Sequence, residues 1–341
     1  MSERYRHGLV VGKFYPPHAG HHHLIDAAER RCERVTVVVA ASHTESVPLG
    51  LRAGWLEERH PGVRVVSGYD EHPIDYDDPA VWDLHMNLFR TLCPEPVDAV
   101  FSSEAYGDEL ARRFGAVHVP VDPERRTVPV SGRAIRDDPA RHWHRLEPPV
   151  RAWLTRRIAV VGAESTGTTT LARALAEHYE TEWVAEHGRA LTEELVQAGT
   201  PIEAIDWSAV DFAEIARTQH AHEDAAARQA APVLICDTDA LATCVWRERY
   251  VGESTPELEA LARERHYALY ILTGDDIPFQ QDGMRDGERL RGWMTQRFRE
   301  RLAGRPEPWI EVRGTHDRRM AAAVAAIDDV LAAGWSFADP R

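Results

Sequence analysis

The chain has 341 residues, 43% of them hydrophobic, and a formal net charge of −15. That length suits two domains better than one core, the apolar share is ordinary for a globular protein, and no apolar run approaches a membrane span. The negative charge is spread along the chain, which argues against a nucleic-acid-binding surface; four cysteines without CxxC spacing fit a reduced, cytoplasmic protein with no cysteine metal site.

The first half alternates β-branched runs with helical patterns. Strands are expected at 9–14, 35–41, 63–67, 99–102 and 116–121, and helices at 21–33, 49–59, 79–92 and 105–114. Such a rhythm predicts an α/β unit with a parallel sheet covered on both faces, whose ligands bind beyond the strand C-termini. At the end of the first strand stands Gly12-Lys13-Phe14-Tyr15-Pro16-Pro17-His18-Ala19-Gly20-His21. Glycine lets backbone approach phosphate closely, and the following helix N-terminus adds a partial positive charge. His18 and His21 are candidate catalytic donors to phosphoryl oxygens as charge develops during transfer. Gly12, Phe14 and Gly20 are candidates for the nucleotide site around them. His22 and His23 read as ordinary positions on the first helix. Lys13 is the only lysine in the chain, so it is a candidate point charge on a triphosphate.

A second element, Val130-Ser131-Gly132-Arg133-Ala134-Ile135-Arg136, follows roughly 110 residues later. Ser131 is a natural N-cap beside Gly132, and Arg136 is placed to fork onto β/γ-phosphate oxygens. The stretch 137–157 is rich in Pro, Arg, His and Trp and breaks the rhythm; Pro148-Pro149 stops a continuous helix. The boundary is therefore placed near 155, giving domains 1–154 and 155–341.

The second domain also reads as α/β, with strands at 158–161, 233–236 and 268–273 and a last helix around 318–333. After its first strand comes Gly162-Ala163-Glu164-Ser165-Thr166-Gly167-Thr168-Thr169-Thr170, the frame of a phosphate-cradling P-loop. The usual lysine position holds Thr168, while Thr169 occupies the position expected to meet Mg²⁺. With no other lysine available, Arg285 or Arg289 is the expected source of the missing charge. Asp237 and Asp239 end an apolar strand, as metal-binding acids do; either could hold Mg²⁺ or act as base on a substrate hydroxyl. The polar segment 273–289 could be a lid carrying Arg285.

His18-Ala19-Gly20-His21 resembles the HxGH signature of the nucleotidyltransferase superfamily. The 130–136 segment resembles its ISxTxxR motif, with Ala134 where threonine often stands. Together with Phe101-Ser102-Ser103-Glu104-Ala105-Tyr106-Gly107, these segments look like the NadR-type nicotinamide-nucleotide adenylyltransferases, and the second half looks like the ribosylnicotinamide kinase domain of the same bifunctional family. The resemblance implies a Rossmann-like nucleotidyltransferase domain followed by a P-loop kinase-like domain. It implies transfer of AMP from ATP to nicotinamide mononucleotide, giving NAD and pyrophosphate, with Mg²⁺ accompanying ATP. It further implies phosphorylation of nicotinamide riboside. Trp82 is a candidate platform for the nicotinamide ring, Ser103 and Asp239 are candidate substrate contacts, and Trp207, Asp211 and Gln219 fall in a stretch that could shape the nucleoside pocket. Some family members carry an N-terminal helix-turn-helix; only Met1–Arg6 precede the first strand here, so DNA is not expected as a partner. Thr168 keeps two alternatives open: a non-catalytic ATP-sensing second domain, or a nucleotide-responsive partner of a nicotinamide riboside transporter. A homo-oligomer is expected.

Overall fold

Two runs of alternating strands and helices build two separate parallel sheets. The computed structural model describes residues 4–75, 77–198, 204–208, 210–280 and 288–340. One compact unit comprises Met1–Val150 with Trp335–Arg341, and the other Arg151–Gly334.

In the first unit β1 (Tyr5–Gly12), α1 (Ala19–Arg31), β2 (Cys32–Ala41), α2 (Leu49–Arg59), β3 (Arg64–Tyr69), α3 (Pro79–Leu92), β4 (Ala99–Ser102), α4 (Gly107–Phe114) and β5 (Val117–Pro120) precede the short α5 (Gly132–Asp137). The strand order is β3-β2-β1-β4-β5, all parallel, with Val10 of β1 opposite Val37 on one side and Phe101 on the other. Successive β1 residues enter different cores. Val10 packs with Ile25 and Val37, whereas Leu9 packs with Val38, Met86 and Val100. Burial on both faces explains why β1 reads as a continuous apolar run. The order reverses between β1 and β4, and ligands of such sheets bind at that crevice.

After α6 (Pro148–Leu154), the second unit carries β6 (Arg156–Gly162), α7 (Thr168–His178), β7 (Trp183–Val184), α8 (His187–Gln197), α9 (Phe212–Ala227), β8 (Val233–Asp237), α10 (Ala240–Val251), α11 (Pro256–Glu264), β9 (Leu269–Thr273), α12 (Arg291–Ala303), β10 (Trp309–Val312) and α13 (His316–Ala332). Its order is β10-β9-β6-β8-β7, with β6 central and parallel to both neighbours.

Two differences from the sequence reading stand out. The edge strands β7 and β10 were not expected, since they are only two and four residues long and β10 follows Pro306-Glu307-Pro308. Residues 335–340 pack with the first unit instead of ending the second. Among the described residues, no helix is long and apolar enough to cross a membrane.

Candidate functional sites

In the first unit, the loop after β1 delivers His18 to the start of α1. His18 is the N-cap: its Nδ1 accepts the Gly20 N–H at 3.1 Å. A Cβ on residue 20 would lie 3.0 Å from the His18 ring, so glycine is what lets the ring fold back onto the helix start. His21 stacks on His18 with ring centroids 3.8 Å apart.

Burial, reinforced by the neighbouring His22, Arg125 and Arg136, depresses the His18 pKa to about 3. Burial likewise drives the His21 pKa well below its usual value, with His18, Arg125 and Arg136 adding to the effect. Both rings are neutral near pH 7. With Nδ1 of His18 accepting a backbone bond, its proton sits on Nε2. That Nε2 is buried without a protein partner, and so is Nδ1 of His21. An unpaired buried donor is costly unless something else completes it.

A cavity of about 60 Å³ opens beside them, and its wall includes His18, Gly20, His21, Ser103, Ser131 and Gly132. The fold thus brings together two motifs from distant parts of the chain. Ser131 caps α5 by accepting the Ala134 N–H at 3.2 Å. Arg136 stands behind this wall, half-buried, donating from Nη1 to the Tyr15 carbonyl at 2.9 Å. His23 also lines the cavity, contrary to its reading as an ordinary helix position. His22 instead points into the fold, where Nδ1 meets His60 Nε2 at 3.0 Å. Arg125 is a lining residue that the motifs did not indicate. It is set by a tight loop in which Asp122 accepts the N–H groups of Arg126, Thr127 and Val128.

The second unit holds a larger cavity, about 170 Å³, running from the loop after β6 to an aromatic end. Ser165 at φ +58° and Gly167 at φ +87° turn the loop so that its backbone forms a concave cradle. Thr166 is fully buried and locks the loop, donating from Oγ1 to the Ala163 carbonyl at 2.6 Å and sharing a 2.7 Å bond with Thr273. A Cβ at Gly162 would collide with Thr273, so only glycine fits there. Glu164 pairs with Arg249 at 2.7 Å.

Asp237 lines the cavity beside the Thr168 and Thr169 hydroxyls at the end of the loop. Burial raises its pKa to about 6, moderated by hydrogen bonds from the Thr169 and Thr168 hydroxyls and by Arg173 and Arg189. The next residue, Thr238, sits at φ +91°, a strained conformation for a β-branched side chain. That turn separates the two acids: Asp237 faces the cavity, while Asp239 faces the core. Glu186, just after β7, lines the same cavity, and burial together with Asp237 lifts its pKa to about 8. At the far end Trp207 stacks on Tyr250 at 4.0 Å and 12°, with Phe212, Gln219 and Trp246 around them. Thr170 lines the loop end of this cavity.

Residues 157–319 match the family described as an AAA domain. Over 299 residues, 82% of this chain and 71% of the relative, the sequence is 29% identical to the trifunctional NAD biosynthesis/regulator protein NadR of Escherichia coli (strain K12). The NadR of Salmonella typhimurium (strain LT2) matches over 297 residues at the same identity. The chain is thus similar to these two NadR proteins over most of its length. Two NadR crystal structures share its fold. The complex with NR has a TM-score of 0.77 at 21% identity, and the complex with NAD and AMP-PNP 0.76 at 19%. They cover 98% and 96% of this chain, and 98% of each NadR chain is matched.

Several expected site residues take other positions. Trp82 is a core residue, 5% exposed, packed with Leu9, Val11 and Met86, with the Arg113 guanidinium over its ring; it does not line the His18 cavity. Asp239 caps α10 by accepting the Ala242 N–H and takes the Tyr270 hydroxyl at 2.8 Å, so both its oxygens are used inside the core. Asp211 is likewise the cap of α9. Phe14 is buried at φ +46° beneath His21, and a Cβ at Gly12 would press on its ring at 3.2 Å, so both are packing positions. Lys13 is held by the buried Glu45 at 3.2 Å and does not line the His18 cavity. Arg285 lies outside the described residues, and Arg289 is exposed beside α12. Arg189 lines the second cavity, whereas Arg291 and Arg319 donate to the Ser165 and Thr166 carbonyls of the loop.

Proposed function

We propose that the chain serves NAD biosynthesis through two ATP-using sites: nicotinamide riboside is phosphorylated in the second unit and the resulting mononucleotide is adenylylated in the first. The observation that carries this reading is the convergence of His18, His21, Ser131 and Gly132 on one cavity, with the His18 Nε2 proton lacking a protein acceptor. The NadR relatives, named for NAD biosynthesis, and the NadR structures with NR and with NAD and AMP-PNP support it.

At the first site a phosphate oxygen of the mononucleotide attacks the α-phosphorus of ATP. The bond from that phosphorus to the bridging oxygen breaks, and pyrophosphate leaves. The neutral His18 donates from Nε2 to an oxygen gaining charge, with no proton to lose first. Arg125 and Arg136 offset the charge of the triphosphate. Positioning and charge compensation suffice for such a step.

At the second site the backbone cradle of 162–169 binds the ATP phosphates. The riboside hydroxyl attacks the γ-phosphorus and gives its proton to Asp237, while the bond from that phosphorus to the β,γ-bridging oxygen breaks and ADP leaves. The Trp207–Tyr250 pair offers a flat apolar wall suited to a nicotinamide ring. Thr169 would hold Mg²⁺, which would supply charge neutralisation to the ATP phosphates; the raised pKa of the buried Asp237 beside the Thr169 hydroxyl suits a proton acceptor. Thr168 favours a second reading, an ATP-sensing unit without turnover, because its hydroxyl bonds Asp237 where a lysine would have brought charge.

The test offers the purified chain riboside or mononucleotide separately, each with ATP and Mg²⁺, and separates products by chromatography. NAD from mononucleotide supports the first site, and mononucleotide from riboside supports the second. ATP binding to the second unit with no riboside product selects the sensor. No NAD from mononucleotide overturns the proposal.

A further inference from the structure

Tyr15, in the loop between β1 and α1, is 2% exposed. Two guanidiniums lie over its ring: Arg52 at 4.4 Å and Arg136 at 5.1 Å from the centroid. Its carbonyl receives the 2.9 Å bond from Arg136 Nη1. The side chain of Tyr15 is in turn fixed by the C-terminal segment. Phe337 stands edge-on to the ring, 5.9 Å between centroids at 90°. The Tyr15 hydroxyl donates to the Ala338 carbonyl at 3.0 Å and accepts the Ser46 N–H at 2.8 Å. Ala338 N–H closes the loop by donating to Ser46 Oγ at 2.7 Å. Trp335 rests against Trp143, 6.3 Å between centroids, which anchors the start of the segment on the same unit.

These contacts form a short physical path from 335–338 through Tyr15 to the arginine of the second motif. Arg136 makes its bond to a backbone carbonyl in a loop, so its placement is only as good as that loop's. The loop lacks helix or strand pairing of its own at Tyr15. Packing by Phe337 and the two hydroxyl bonds restrict Tyr15 to one position, and misplacement of a charged group by about 1 Å can reduce a rate by roughly a hundredfold.

We propose that residues 335–338 are a positioning strap for the first site, with Phe337 and Ala338 acting through Tyr15 to set Arg136 for the triphosphate. This rests on the adenylyl-transfer reading for its catalytic consequence, but the strap itself is a statement about order in the free protein. Phe337→Ala in the full chain should raise KM for ATP in NAD formation roughly tenfold, leaving KM for the mononucleotide within about twofold. Phe337→Tyr, which keeps the ring, should restore it. Backbone hydrogen exchange without substrate provides the readout independent of turnover. Peptides covering 10–18 and 130–138 should exchange faster in Phe337→Ala and normally in Phe337→Tyr, with 156–162 unchanged as the internal control. Should Phe337→Ala fail to fold, Tyr15→Phe removes only the hydroxyl bridges and should give the same pattern in milder form. If the wild type forms no NAD while the exchange pattern appears, the strap stands and the functional reading falls. Unchanged exchange in both peptides overturns the strap.

Discussion

His18 has two jobs in one ring, and a pair of substitutions separates them. Nδ1 caps α1 through the Gly20 N–H, and Nε2 carries the unpaired proton aimed into the cavity. Asparagine is as good an N-cap as any residue but does not extend to the Nε2 position, whereas alanine loses both functions. Near pH 7, His18→Asn should therefore keep stability within about 0.5 kcal/mol, and His18→Ala should lose about 1 kcal/mol. Both should lower kcat for NAD formation by roughly 10²- to 10³-fold, the usual consequence of removing one donor to developing charge. The depressed pKa, about 3, adds a pH signature. Between that value and the ordinary 6.5, the unfolded chain binds more protons than the folded one, so stability is fully present above about 6.5 and lost as pH falls toward 3. His18→Asn removes this share and should gain on the order of 1–2 kcal/mol relative to wild type at pH 5. The assays are denaturant unfolding across pH and steady-state NAD formation. Near-wild-type turnover by His18→Asn would refute the role of the Nε2 proton.

Three further outcomes follow from the same geometry. Glu186, raised to about 8 by burial, is protonated in the folded state over a range where the unfolded chain is ionised, so its stabilising share is lost as pH rises from about 4.5 to 8. Glu186→Gln should therefore raise the unfolding free energy by on the order of 1–3 kcal/mol at pH 8.5 and by little at pH 4.5, checked by denaturant melts. Tyr250→Ala removes one member of the 4.0 Å stack and should raise KM for the riboside roughly tenfold without changing KM for the mononucleotide. Trp82→Ala opens the core between β1 and α3, so it should cost about 3–5 kcal/mol of stability and leave KM for the mononucleotide within about twofold; a selective rise in that KM would return Trp82 to the site.

The sequence carries the fold wherever one element has a strong period of its own. The helices at 49–59 and 79–92 have the boundaries expected, and the central strands β1, β2, β6 and β8 stand out as apolar runs because both of their faces are buried. The edge strands β7 and β10 pair on one side only and are too short to show an alternation. Site residues divide in the same way. His18, His21, Ser131, Gly132 and the loop 162–170 belong to local motifs in which neighbouring residues serve one task. Arg125, Glu186, Arg189 and Tyr250 reach their cavities only through tertiary folding, and no spacing marks them. Asp237 and Asp239 show the limit most clearly: two acids at the end of one strand are sent to opposite environments by the φ of Thr238, which the sequence does not display. Trp82 shows the converse, an aromatic residue at helical spacing that belongs to the core.

Placing an isotopic label on the α-phosphorus of ATP tests the central claim most directly. With mononucleotide and Mg²⁺, the label should appear in NAD, matched one to one by unlabelled pyrophosphate, and His18→Asn should slow both together by roughly 10²- to 10³-fold. Label that remains in ADP or ATP while mononucleotide is consumed would contradict adenylyl transfer at the His18 cavity.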